Sequence, residues 1–156
     1  MNILKFGGSS IADAVKIRHV AGIIEDTIKN SELAIVVSAF GGVTDTIKTL
    51  AEYAAAGKNI DATFDSLVAK HTECAEKLSI KNEINIRRIL DEYFTQLKSD
   101  LLFVAKEKHL SSQSLDNVLS YGELLSTTIV AEYLSQIGIK AEMLDARKVI
   151  LTDNYF

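Results

Sequence analysis

The spacing of apolar positions changes along the chain, and each spacing predicts a different element. Residues 2–6 form a short apolar stretch that is typical of a strand. Residues 33–40, LAIVVSAF, are an almost continuous apolar run rich in β-branched residues, which is typical of a parallel strand buried on both faces. Residues 139–146, IKAEMLDA, alternate apolar and polar positions and predict a third strand.

Between the first two predicted strands, apolar residues recur three and four positions apart, as on one face of a helix. This stripe runs over residues 11–28 and predicts a helix there. A second helix is expected to begin near Asp45 and to end at Gly57, because glycine commonly follows the last helical turn.

The middle of the chain is predicted to be helical. Two apolar stripes, over residues 64–78 and 86–104, predict an antiparallel helix hairpin. The polar stretch 110–117 predicts a turn. A last helix is expected over residues 121–136, with Gly138 after its end.

Strands that alternate with helices predict an α/β fold, a parallel sheet between helical layers in an α/β/α sandwich. In such sheets, ligands bind beyond the carboxyl ends of the strands. Two glycine pairs, Gly7–Gly8 and Gly41–Gly42, directly follow the first two predicted strands. We therefore expect both pairs at the same edge of the sheet, where a ligand could reach them.

Composition limits the kinds of partner. The chain has 156 residues, enough for one domain, with a net charge of −4 and a pI near 5.4. This acidic balance argues against a nucleic-acid-binding or membrane-binding protein. Cys74 is the only cysteine, so an internal disulfide cannot form, and a reducing cytoplasmic location is expected.

The first glycine pair lies in KFGGSS, residues 5–10, and could bind an anion. Two glycines let exposed N–H groups approach a ligand, and the following helix contributes its positive N-terminal end. Lys5 adds a charge, and a charged residue in a buried central strand is costly unless it is used, which favours a functional role. The alternative is a tight turn in which Ser10 caps the next helix and Asp13 completes a capping box.

The second glycine pair is flanked by two hydroxyl residues, Ser38 and Thr44, which could hold a small carboxylate substrate. For Thr44, an N-cap role at the next helix is the stronger interpretation from the pattern alone. Ser120 and Glu123 have the spacing of another capping box. Glu123 could instead pair with a substrate ammonium group, and the pattern does not decide between the two roles.

The remaining reactive side chains favour structural roles. His71 lies on an apolar helix face and is expected to be packed and hydrogen-bonded, and Cys74 is expected to be a packed apolar residue. No cluster of histidine, cysteine and carboxylate residues has the spacing of metal ligands, so no metal-binding residue is predicted.

Four segments resemble the motifs of a known family, in the order in which that family has them. KFGGSS is similar to the Lys-Phe-Gly-Gly-Thr-Ser signature of aspartokinases, in the amino acid kinase superfamily, with Ser9 in place of threonine. VVSAFGGVTD, SYGELLS and DARKVILTDNYF resemble three further segments of these enzymes. The resemblance covers the whole chain.

The resemblance implies transfer of a phosphoryl group from ATP, bound with Mg²⁺, to the side-chain carboxylate of L-aspartate, giving 4-phospho-L-aspartate. This is the first step of lysine, threonine and methionine biosynthesis. Lys5 would stabilise the transferring group, and Gly7, Gly8 and Ser9 would line the nucleotide phosphates. The implied substrate-binding residues are Ser38, Thr44 and Glu123, the last accepting the substrate ammonium. The family also implies a homo-oligomer for the complete enzyme.

The family's catalytic domain is longer than this chain. We therefore expect residues 1–156 to be its amino-terminal portion, without the ATP-site half and the regulatory ACT domains, and inactive alone. Two alternatives stay open. One is another amino acid kinase, acting on acetylglutamate, glutamate or uridylate, and the other is a non-catalytic module that binds aspartate or a partner chain.

Overall fold

Two parallel strands form the sheet in the part of the chain that this computed structural model describes, residues 1–29, 31–80, 82–150 and 152. Strand β1 is Asn2–Phe6 and strand β2 is Leu33–Val37. They pair in parallel register over their full lengths, from Asn2 opposite Leu33 to Phe6 opposite Val37. The parallel pairing predicted from the alternation of strands and helices is confirmed.

Helices make up most of the described chain. In chain order they are α1 (Ala14–Ile28), α2 (Val43–Ala55), α3 (Asp61–Lys77), α4 (Glu83–Glu107) and α5 (Ser112–Gln136). Short 3₁₀ turns lie at Gly8–Ser10 and Ala146–Lys148. None of the described helices is long and apolar enough to cross a membrane.

Helices α3 and α4 form the predicted antiparallel hairpin. Asp61 at the start of α3 pairs with Lys98 in the second half of α4, at 3.6 Å, and Glu76 near the end of α3 pairs with Arg87 near the start of α4, at 2.9 Å. Helix α4 also packs extensively against α2 and α5. The hairpin is therefore part of the main core.

One face of the sheet is open among the described residues, so the predicted burial of the second strand on both faces is wrong for this part of the chain. Side chains alternate along a strand, so Leu4, Phe6 and Ile35 pack against the core, whereas Ile3 and Val36 are 67% and 48% exposed. Within the described chain, the helices cover only one face of the sheet. Burial on both faces therefore does not explain the apolar run of β2.

The predicted third strand is also absent. Residues 139–145 are described without strand structure, and the 3₁₀ turn Ala146–Lys148 follows them. The alternating pattern instead matches which side chains pack inward: Ile139 is buried, and Ala141 and Met143 contact the core. A strand also requires a ladder of backbone hydrogen bonds to a neighbour, which an alternating pattern alone does not provide.

The last helix begins nine residues earlier than predicted, at Ser112, so most of the polar stretch 110–117 is helical. Ser111 is the N-cap, and its side chain accepts a hydrogen bond from the Ser114 N–H at 3.0 Å. Ser120 and Glu123 consequently lie inside α5, and the capping box suggested for them does not exist.

Two other predicted caps are shifted. Helix α1 is capped by Asp13, whose carboxylate accepts from the Lys16 N–H at 3.0 Å, rather than by Ser10. Helix α2 begins after Gly42, which has a φ of 81°, so Thr44 lies within the first turn. The chain reversal at Gly42 requires a left-handed backbone that glycine adopts without strain, and this requirement overrides the capping preference of Thr44.

Candidate functional site

The loops that follow the two strands are joined by backbone hydrogen bonds, as their predicted position at one sheet edge requires. The Ser38 N–H donates to the Phe6 carbonyl at 3.1 Å, which continues the strand ladder. Further along, the Gly41 N–H donates to the Gly8 carbonyl at 3.0 Å. The two glycine pairs therefore belong to a single surface.

The glycines of the first pair have different roles. A Cβ atom on Gly8 would lie 2.5 Å from the Ala39 carbonyl oxygen, so a side chain there would clash with backbone. A Cβ atom on Gly7 would meet no described atom within 4 Å. The sequence interpretation assigned both glycines to ligand approach, but the protein itself uses the close approach at Gly8. Open space for a ligand lies beside Gly7.

Helix α5 contacts the loop after β2 through two side chains. Glu123 Oε1 accepts a hydrogen bond from the Ala39 N–H at 3.2 Å, and the Ser126 hydroxyl donates to the Ser38 carbonyl at 2.8 Å. Glu123 is half-buried, and its second oxygen, Oε2, has no hydrogen-bond partner among the described residues. One carboxylate oxygen holds the loop and the other stays available.

Gly122 allows this contact, and the sequence interpretation gave it no role. A Cβ atom there would lie 2.9 Å from the Ala39 Cβ and 3.3 Å from Val43 Cγ1. Glycine inside a helix costs about 1 kcal/mol relative to alanine, and this cost is the signal that could have identified Gly122. The missing side chain lets α5 lie against the loop, so that the next residue, Glu123, reaches the Ala39 amide.

Lys5 lies near the end of β1, opposite Val36 in the strand register. Its side chain is exposed on the open face and has neither a hydrogen bond nor an ion pair among the described residues. The argument that burial makes this charge costly is therefore wrong for the described chain. Among the described residues the ammonium group is therefore free, and Lys5 makes no contact with Glu123.

The hydroxyl residues are distributed around the same edge. Ser9 is exposed in the 3₁₀ turn Gly8–Ser10, and Thr44 is exposed in the first turn of α2. Ser38 is half-buried, and its backbone is bonded on both sides, to Phe6 and to Ser126. All three side-chain hydroxyls lack a hydrogen-bond partner among the described residues.

Helix α3 contacts the same loop through two consecutive residues. Lys70 Nζ donates to the Gly41 carbonyl at 2.6 Å, a contact that the sequence did not indicate. The His71 ring stacks on Phe40 with centroids 4.9 Å apart and planes 11° from parallel.

The packed roles expected of His71 and Cys74 are confirmed. His71 is fully buried and hydrogen-bonded to the Leu67 carbonyl at 2.8 Å, and burial lowers its pKa to about 4. Cys74 is also buried, and burial raises the pKa of its thiol to about 11. Neither group is poised to exchange a proton or to attack a substrate near neutral pH.

The segment after α5 returns to the helix near Glu123. Arg147 forms an ion pair with Asp145 at 2.9 Å and donates to the Ser120 hydroxyl at 3.2 Å. Its hydrogen bonds hold the pKa of Asp145 below the ordinary range of a carboxyl group. Arg147 also lies over the Tyr121 ring, 5.7 Å from its centroid. The segment SYGELLS, residues 120–126, therefore contacts the described part of the segment DARKVILTDNYF. Positions 151 and 153–156 of the latter lie outside the described residues.

Comparisons of the sequence and of the structure with known proteins agree with one another. The family model described as the amino acid kinase family matches residues 1–154. The chain is 33% identical, over 98% of its length, to Aspartokinase 1, chloroplastic, from Arabidopsis thaliana, of which it covers 27%. It is 30% identical, over 99% of its length, to the aspartokinase of Chlamydia muridarum, of which it covers 32%.

A solved structure of E. coli aspartokinase III in complex with aspartate and ADP resembles the chain with a TM-score of 0.83 and 26% identity. The match covers 99% of this chain and 33% of that one. The predicted fold class, an α/β fold with parallel strands like that of the amino-terminal part of these kinases, is confirmed. The chain spans a third or less of the length of the proteins compared.

The two neighbouring glycines give a paired prediction. Gly8→Ala places a methyl group against the Ala39 carbonyl and should lower the free energy of unfolding by about 2 kcal/mol or more, because backbone must move. Gly7→Ala enters open space at an ordinary φ of −75° and should change it by less than about 0.5 kcal/mol. Urea unfolding of both variants measures the difference, and equal stabilities would contradict the packing described for Gly8.

The buried histidine predicts a pH dependence. The pKa of His71 is about 4 in the folded chain, against an ordinary value of 6.5, so the unfolded chain binds a proton more readily. Its contribution is present above about pH 6.5 and is lost as the pH falls towards 4, by up to about 3 kcal/mol. Unfolding of His71→Phe, measured between pH 7 and pH 4, should lack this part of the acid destabilisation. Parallel losses in the two proteins would contradict a buried neutral imidazole.

Proposed function

Because the chain belongs to the amino acid kinase family, we propose that it is the amino-terminal, aspartate-binding part of an aspartokinase. The complete enzyme would transfer a phosphoryl group from ATP to the side-chain carboxylate of L-aspartate. A carboxylate oxygen forms the new bond to the γ-phosphorus, the bond from that phosphorus to the oxygen of ADP breaks, and the products are 4-phospho-L-aspartate and ADP. The names of the relatives support this assignment.

The observation that carries the proposal is the way Glu123 is held. Its Oε1 is occupied by the Ala39 amide, so the carboxylate is fixed at the carboxyl end of β2 rather than free to rotate. Its Oε2 has no partner among the described residues. A fixed carboxylate with one free oxygen suits the ammonium group of an amino acid, because charge-assisted hydrogen bonds are among the strongest in proteins.

Ser38 and Thr44 complete the proposed aspartate site. Their hydroxyls are unused by the described chain and flank the loop that Glu123 holds. Hydroxyl groups can donate to the substrate carboxylates while Glu123 binds the ammonium. Recognition at three points would orient the side-chain carboxylate for transfer, which depends mostly on positioning and charge neutralisation.

Lys5 is proposed to neutralise charge on the transferring phosphoryl group. Its ammonium is exposed, without a partner among the described residues, and lies two residues before Gly7, beside which there is open space. We assign Gly7, Gly8 and Ser9 to the side of the site that faces the nucleotide phosphates. The described residues bring no three histidine, cysteine or acidic side chains together as a metal site, and the proposal gives them no part in holding Mg²⁺.

Binding of L-aspartate tests the substrate assignment. Titration of the ¹⁵N-labelled chain with L-aspartate should shift the Ala39 and Gly41 amide signals, and N-acetyl-L-glutamate should not, because it lacks an ammonium group. Glu123→Gln keeps an oxygen for the Ala39 amide but loses the charge, so affinity should fall by about tenfold or more with little change in stability. Glu132→Gln, a half-buried position nine residues further along α5, is the matched control.

The alternatives predict other results in this titration. A preference for N-acetyl-L-glutamate, L-glutamate or a uridine nucleotide would replace the aspartate assignment with another kinase of the family. Equal affinity in wild type and Glu123→Gln would remove Glu123 from the site. Normal aspartate binding by a native gene product that never uses ATP would favour a binding module.

Phosphoryl transfer tests the role of Lys5. The substitution is introduced into the gene in its source cells, and the product is purified at its natural length. Lys5→Ala should reduce ATP-dependent formation of aspartyl hydroxamate by about a hundredfold or more relative to the unaltered gene product. Lys16→Ala, an exposed lysine in the first turn of α1, should leave the rate unchanged. A Lys5→Ala enzyme with the wild-type rate would refute the assignment.

A further inference from the structure

The loop after β2 is held by α3 as well as by the groups assigned to substrate binding. Lys70 bonds the Gly41 carbonyl and His71 stacks on Phe40. Neither α3 residue has a part in the proposed chemistry. A buried histidine in contact with a proposed substrate loop therefore needs its own explanation.

The tautomer of His71 follows from its partner. Nδ1 faces the Leu67 carbonyl at 2.8 Å, and a carbonyl oxygen only accepts, so Nδ1 carries the hydrogen. Nε2 then carries a lone pair, and it is buried without a partner among the described residues. A buried polar atom without a partner costs free energy that a leucine at this position would avoid. Filling space in the core does not account for a histidine here.

An aromatic ring fixed by a backbone hydrogen bond does account for it, because a phenylalanine ring could stack but could not bond the Leu67 carbonyl. The hydrogen bond to Leu67, one helical turn earlier, restricts rotation of the ring. Phe94 of α4 packs edge-on against the ring, with centroids 5.8 Å apart and planes at 70°. The ring is therefore held from two directions, and it presents a flat face to Phe40.

Phe40 is the point through which this rigidity reaches the site. It is 1% exposed, and its two chain neighbours make the hydrogen bonds that define the loop. The Ala39 N–H binds Glu123, and the Gly41 N–H binds Gly8. Because Phe40 lies between these two residues, restricting its ring restricts the backbone that carries both amides.

We propose that His71 is a positioning residue for the substrate site, acting through Phe40 on the loop that bears the Ala39 and Gly41 amides. The ring does not contact the substrate. It holds the loop in the arrangement in which the Ala39 amide occupies Glu123 Oε1, and Oε2 has no partner among the described residues. The identity of the ligand, L-aspartate, rests on the proposed function, whereas the effect on the loop does not.

Amide hydrogen exchange in the ligand-free chain tests the effect on the loop. His71→Leu removes the stacked plane, and the Ala39 and Gly41 amides should exchange about tenfold faster than in wild type, after correction for global stability. His71→Phe keeps an aromatic plane but lacks the hydrogen bond to Leu67, so it should restore part of the protection. Phe64→Leu is the matched control, because Phe64 belongs to the same aromatic cluster but makes its ring contact with Phe94, at 6.2 Å.

The outcomes separate the two proposals. Faster exchange at Ala39 and Gly41 in His71→Leu alone supports the positioning role, and weaker L-aspartate binding by the same variant extends it to the substrate. Equal exchange in His71→Leu and Phe64→Leu, or no rescue by His71→Phe, would overturn it. If wild type fails to bind L-aspartate but the exchange pattern holds, the substrate assignment fails and the positioning of the loop stands.

Discussion

The close approach of the two strand-end loops is the constraint on which the rest of the site depends. Gly8 lies so near the Ala39 carbonyl that no side chain fits, and its own carbonyl accepts the Gly41 N–H. This contact extends the pairing of β1 and β2 past the ends of the strands. Residues that are more than thirty positions apart in sequence are thereby held as one surface, and every group assigned to the site lies on or beside it.

Helix α5 adds the carboxylate to this surface through a second close approach. Gly122 contacts the same residue, Ala39, that crowds Gly8, so the loop lies between two glycines. The helix tolerates a poor helix former there because the approach lets Glu123 and Ser126 bond the loop backbone. The loop contact of Glu123 is therefore compatible with its proposed ligand-binding role, because each uses a different carboxylate oxygen.

The sequence predicted what depends on local periodicity. The helices, the parallel strands and the shared edge of the glycine pairs follow from residue spacing, and the structure contains them. Helix starts were less predictable, because several residues near each start can cap. The structure has Ser111, Asp13 and Gly42 at the cap positions, whereas the motifs had suggested Ser120, Ser10 and Thr44. The prediction of a third strand was wrong, because the alternation of side chains in residues 139–146 does not indicate whether a neighbouring strand is present to pair with it.

Lys5 remains a proposed site residue, although the argument that first suggested it is wrong for the described chain. Exposure on the open sheet face removes the cost of a buried charge, so that cost is no longer evidence of function. The case for Lys5 now rests on its position, because its ammonium group has no partner among the described residues and lies one residue before the end of β1 and two before Gly7, beside which there is open space. His71 is the converse case. Its burial was predicted, but the tautomer and the stacking on Phe40 depend on contacts between α3, α4 and the loop, which only the fold brings together.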